Sequence, residues 1–200
     1  MRAYLRLVRV GCAAILALAL LAGGASASRS LTVNRTAIRA VARTAIFNGL
    51  EVNTTCEVTL NGETTVTSFA KRSGLQFGVI TEGRSANCRG AARRVVFLNT
   101  PANAMRLAYS FFAGALPSIT SVRASGSNFL FELQETFVGN CLYRVDSGSW
   151  NFFATSGRQE YDRVDTRIES TLFRGGIFCP RATFVSAVFT VSPLLNVGLI

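Results

Sequence analysis

Leu50-Glu51-Val52-Asn53-Thr54-Thr55-Cys56-Glu57-Val58-Thr59-Leu60-Asn61-Gly62 is the stretch whose reading decides the fold. Leu50, Val52, Cys56, Val58 and Leu60 fall on one side of a period-two alternation, with Glu51, Asn53, Thr55, Glu57 and Thr59 on the other. Such alternation marks a strand with one face buried, and it aims the Cys56 sulfur inward. Asn61-Gly62 is the strongest short hairpin signal. A turn is therefore expected there, with residues 63–69 as the returning strand.

The same alternation recurs at residues 75–80, 105–111, 129–137, 163–169 and 183–189, the last ending at Ser192-Pro193; Val95-Val96-Phe97-Leu98 within 93–98 is an apolar strand core, 141–145 and 150–155 read as further strands, and a last short strand is expected at 196–200. Asp146-Ser147-Gly148-Ser149 is a turn cluster between two of them. About ten short strands at this spacing predict an all-β fold, an antiparallel β-sandwich or flattened β-barrel. One segment reads two ways. Arg35, Arg39 and Arg43 recur every four residues with Ala37, Ile38, Val41 and Ala45 opposite, and Asn34 and Gly49 suit helix ends. Ile38, Ala40, Ala42 and Ile46 also alternate as in a strand, and strand neighbours tip the balance slightly that way. No linker divides residues 28–200, so one all-β domain is expected.

The first 27 residues stand apart. Arg2, Arg6 and Arg9 precede an apolar run over 10–22, and Ala25-Ser26-Ala27 is an A-x-A cleavage signal. This is the layout of a cleaved, bacterial-looking Sec-type signal peptide. Cys12 lies near the start of the apolar run and not at its end, with Arg9 where a lipobox has an aliphatic residue, which argues against lipidation. Without the leader the net charge falls from +10 to +7, and four of the five cysteines remain: Cys56, Cys88, Cys141 and Cys179. An even count in an exported chain reads as a structural disulfide framework. Of three possible pairings, Cys56–Cys88 and Cys141–Cys179 are preferred because each closes a local loop. The expected location is secreted or associated with the cell envelope.

The 200 residues contain no histidine, which removes Ser-His-Asp and Cys-His catalysis and histidine-ligated metal sites. No calcium loop or other metal site is evident, and no cofactor is expected. Arg84, Arg89, Arg93 and Arg94 surround Cys88 and are the candidate anion-binding residues. The bland alternative is an arginine-rich composition with charge spread over solvated strands. After export the fitting partner is an anionic wall polymer or glycan, and nucleic acid is disfavoured. Trp150, with Tyr143 and Arg144, is the candidate ligand surface; the alternative packs Trp150 in the core beside the Cys141 disulfide. Glu160, Asp162, Asp165 and Glu169 lie among arginines. A His-independent glycan hydrolase would need two carboxylates across a cleft. Here Arg163, Asp165, Arg167 and Glu169 share one strand face with alternating sign, the pattern of a self-paired surface. Ser68-Phe69-Ala70-Lys71 matches S-x-x-K by spacing, without the helix or the companion motifs that give it meaning. An outer-membrane barrel is disfavoured by Glu, Arg and Gln on the outward faces.

The run 49–62 followed by 74–81, with 114–120 and 189–193, resembles a class of exported β proteins of high-GC actinobacteria. The resemblance implies an exported two-disulfide β fold and carries over no functional residue. The expectation is a non-catalytic binding or structural module of the envelope or extracellular space, with the carboxylate hydrolase as the alternative.

Overall fold

A computed structural model describes residues 30–34, 37–49, 53–113, 121–137, 139–145, 148–154 and 160–199. The expected leader, residues 50–52 of the deciding strand, Asp146, Ser147 and the 114–120 segment lie outside the described residues. Through the rest run β1 (Ser30–Val33), β2 (Ala37–Asn48), β3 (Asn53–Thr64), β4 (Ser68–Ala70), β5 (Gln76–Gly90), β6 (Arg94–Phe97) and β7 (Met105–Ala113). They are followed by β8 (Ser121–Ser127), β9 (Phe129–Thr136), β10 (Gly139–Val145), β11 (Gly148–Ala154), β12 (Glu160–Arg174) and β13 (Ala182–Leu199). The ladder runs β13-β2-β3-β5-β7-β8-β11-β12, and β12 pairs back onto β13, closing an 8-stranded antiparallel barrel. No described helix is long and apolar enough to cross a membrane.

The barrel wall forks. The first part of β5 pairs with β7, through Gln76 to Ile80, whereas its later part faces β6. The Ser85 hydroxyl donates to the Val95 carbonyl at 2.6 Å and accepts from the Val95 amide at 3.3 Å. A Cβ on Gly83 would stand 2.5 Å from the Phe97 ring, so only glycine lets β6 lie this close. Likewise β12 pairs with β11 through Tyr161–Arg167 and with β10 through its last residues. At the fork Asn128 takes a left-handed φ of 64° between β8 and β9, a conformation asparagine tolerates better than most residues. Asn99 is buried beside it. Its amide donates to the Asn103 and Asn128 carbonyls at 3.0 and 2.8 Å and accepts from the Leu130 amide at 3.1 Å. Buried polar groups survive when paired in this way.

The interior is filled by aromatic rings. Phe47 meets Phe131 at 5.3 Å between centroids, Phe131 stacks on Tyr143 at 5.4 Å, and Trp150 packs between Phe129 and Phe189. The residual cavity among Phe47, Leu60, Phe129 and Trp150 is about 10 Å³, at or below the minimum for one water. Cys56–Cys88 joins β3 to β5 and Cys141–Cys179 ties β10 to the β12–β13 loop, the pairing expected. Two disulfides accord with an extracytoplasmic chain.

Three expectations change in detail. Residues 37–48 form a strand, but an extra residue bulges at Arg43-Thr44, between Ala42 and Ala45. The bulge switches the phase, burying Ala45 and Phe47 and turning Ile46 outward. Asn61-Gly62 makes no turn. β3 runs through it to Thr64, with Gly62 paired to Ile38 on one side and Ile80 on the other. The two closing segments are one strand, β13, continuous through Ser192-Pro193.

Burial gives the fold an alkaline limit. Tyr143 and Tyr161 are fully buried, and desolvation pushes both hydroxyls up to about 12. An unfolded tyrosine ionises near 10. The folded state therefore keeps protons that the unfolded chain has released. Stability should be level with respect to these groups below pH ~10 and fall between about pH 10 and 12, by several kcal/mol for the two together. Urea midpoints measured across that range check the slope. Phe at both positions should flatten it.

Candidate functional site

A trough lined by arginines lies on the outer face of β2, β3 and β5. Two adjoining depressions of about 280 and 610 Å³ share Arg43 and Glu57 in their walls. Thr44, Thr55, Asn87 and Arg89 complete the first; Thr59, Arg84 and Ser85 are among those completing the second.

Two bulges shape it. On β2, Arg43 and Thr44 together oppose Glu57 alone. On β5, Asn87 and Cys88 together oppose Cys56, and Asn87 adopts a φ of 52°. Bulges re-aim side chains and bend the strand that carries them. Here they flank the same short piece of β3 from both sides, and the Cys56–Cys88 disulfide fixes the β5 bulge from below.

The charges are not equivalent. Arg84 is tied to Glu82, its Nε donating to a carboxylate oxygen at 2.7 Å. Asn61 donates to the other oxygen at 2.9 Å. These two contacts, Asn61 first, hold the Glu82 carboxyl below its ordinary range, so it stays ionised and neutralises Arg84. Among the described residues no ion pair engages Arg43 or Arg89. Their guanidiniums stand beside threonine hydroxyls and the Asn87 amide. The set suits a ligand carrying both negative groups and hydroxyls.

Two of the four arginines singled out by sequence, Arg84 and Arg89, thus line the trough. Arg94 faces outward on β6, the strand held against β5 by Ser85. Arg93 lies on the β5–β6 connection, its amide bonded to Gln134. Arg43 was missed.

The second candidate surface does not form. Trp150 is 4% exposed and Tyr143 fully buried; of the three, only Arg144 is outside. Trp150 fills the core against Phe129 and Phe189, and a Cβ on Gly126 would sit 2.4 Å from its Nε1. Alternation had placed these aromatics on a strand without saying which face was inside.

The acidic run lies on β12 with Arg163, Asp165, Arg167 and Glu169 outward, and Arg163 pairs with Asp165 at 2.9 Å. Ser68 begins the short strand β4 and Lys71 follows its end, so the two are not one helical turn apart and the S-x-x-K geometry is absent. Among the described residues no group of three metal-ligating side chains converges. No protein family, no curated protein and no solved structure matches the chain.

Proposed function

We propose that the protein is an exported, non-catalytic binding module of the cell envelope or extracellular space that holds an anionic polymer in the β2-β3-β5 trough. The observation that carries this reading is the convergence of Arg43, Arg84 and Arg89 from two bulged strands onto one trough. Hydroxyl and amide groups between the guanidiniums favour a polymer with a sugar or polyol backbone over a bare inorganic anion. Glycoside hydrolysis takes two carboxylates flanking the bond, whereas the trough presents Glu57 alone among its arginines.

The test is retention on isolated bacterial cell wall and on immobilised polyglucuronate. Retention should fall steeply between about 0.05 and 0.5 M salt, as exposed charges are screened. Arg43→Glu and Arg89→Glu should each weaken it about tenfold, the scale of one charge-assisted contact. Arg123→Glu, on β8 in another part of the wall, should leave it unchanged. Retention indifferent to salt, or equally lost in all three variants, rules the trough out.

A further inference from the structure

One end of the barrel carries a feature the trough does not explain. Four connections meet there in a ring. Asn53 at the start of β3 accepts from the Ala91 amide, and the Arg93 amide donates to Gln134 at the end of β9. Asn140, after the β9–β10 turn, has its carbonyl 3.3 Å from where a Cβ on Gly175 would stand. Pro180 in turn lies 3.2 Å from the Cβ position of Gly49 after β2. The Cys141–Cys179 disulfide locks the β12–β13 loop to β10.

This end exposes large apolar side chains. Ile177 is 92% and Phe178 67% exposed at the tip of the β12–β13 loop; Phe137 is 71% exposed on the adjacent turn, and Phe173 56% at the end of β12. Scattered exposed apolar residues are ordinary, but a cluster marks an interaction surface. The cluster is ringed by positive charge. Arg93 and Arg181 on the connections and Arg94 and Arg174 at the adjoining strand ends are all exposed, and Glu135, near the end of β9, is the one acid among the described residues of the connections and of the two strand residues flanking each. Arg144 lies 5.1 Å over the Phe173 ring, a cation on an aromatic face.

We propose that this end docks onto an anionic lipid bilayer, with Ile177 and Phe178 entering the interface and the surrounding arginines meeting lipid phosphates. The two halves of the site match the two halves of such a surface. Apolar side chains partition beneath the headgroups, and guanidiniums on long stems stay at phosphate level. A second copy of the chain fits less well, because a two-fold contact between these ends would set arginines against arginines. The disulfide presents the tip already ordered, so docking loses little conformational entropy.

Sedimentation with vesicles tests it. The protein should pellet with vesicles of phosphatidylglycerol and phosphatidylcholine and stay in solution with phosphatidylcholine alone. Ile177→Asp with Phe178→Asp should cut vesicle affinity at least about tenfold, on the scale of burying one or two apolar side chains. Both residues are exposed, so the fold should be unaffected, and an unchanged urea midpoint verifies that. Phe178→Trp should blue-shift its emission when anionic vesicles are added, over the constant signal of buried Trp150. Arg43→Glu with Arg89→Glu should leave vesicle binding intact, which separates this site from the trough. Absence of pelleting with anionic vesicles overturns the proposal. So does equal pelleting of the double aspartate variant, or a wild-type dimer that this variant dissolves.

Discussion

Replacing all four cysteines by alanine should leave a chain that does not hold its fold at 37 °C. The disulfides span 32 and 38 residues. Restricting the unfolded chain by loops of that length is worth about 4 kcal/mol each in the chain-entropy treatment. The sum approaches the whole stability of an ordinary domain, roughly 5–15 kcal/mol. The folded state loses further, because Cys56 and Cys141 are buried core residues and alanine fills less of the space. The two bridges should separate by function. Cys56→Ala with Cys88→Ala loosens the β5 bulge beneath the trough and should weaken polymer retention. Cys141→Ala with Cys179→Ala frees the Ile177-Phe178 loop and should weaken vesicle binding. Urea titration of the two paired variants measures the stability effects separately. A loss under about 1 kcal/mol for either pair would mean the denatured chain is already restricted without that bridge.

What the sequence disclosed follows from which residues carry their own apolar signal. β7, β9 and β10 were legible because each alternates large apolar and polar side chains on a half-buried surface. The later part of β5 was not. Its residues 81–90 contain no large apolar side chain. The space on the inner side of Gly83 and Ser85 is occupied by Phe97 and Val95 from β6, so the apolar content of that wall is spelled elsewhere in the chain. The trough inherited the difficulty, since Arg84 and Arg89 lie on this segment. Arg43 was hidden for another reason. A spacing of four returns to the same face in a strand as well as in a helix, so the recurrence of Arg39 and Arg43 did not discriminate. Both point outward from β2. Bulges defeat period-two reading altogether, because each shifts the phase by one residue. Those at Arg43-Thr44 and Asn87-Cys88 are also what brings the two unpaired arginines to one trough. The disulfide pairing was legible because alternation aimed Cys56 inward and locality chose its partner.

Gly62→Ala should cost about 3 kcal/mol or more, and Gly62→Asn no less. A Cβ at this position would lie 2.2 Å from the Val79 carbonyl oxygen and 2.7 Å from the Ile80 side chain, with the Ile80 Cα at 3.1 Å. Val79 and Ile80 belong to β5, and the closest of these atoms is backbone, so relief requires the β3–β5 ladder to open where its register already shifts, between Asn61 and Gly62. Overpacking a closed site costs typically 1–3 kcal/mol and more when main chain must move. Asparagine makes the test specific. In a two-residue hairpin turn glycine serves a left-handed conformation, which asparagine accepts at small cost. In a strand interior it serves closeness, which asparagine cannot supply. Gly74→Asn is the matched control, because Gly74 has a φ of 88° with nothing within 4 Å of its Cβ position. It should cost about 1 kcal/mol. Asn61→Ala, which removes one hydrogen bond to Glu82, should also cost about 1 kcal/mol. Urea midpoints of the four variants give the order. If Gly62→Asn is as mild as Gly74→Asn, residues 61–62 turn rather than run through the barrel wall, and Arg43 and Arg84 are not held on the two strands that flank β3.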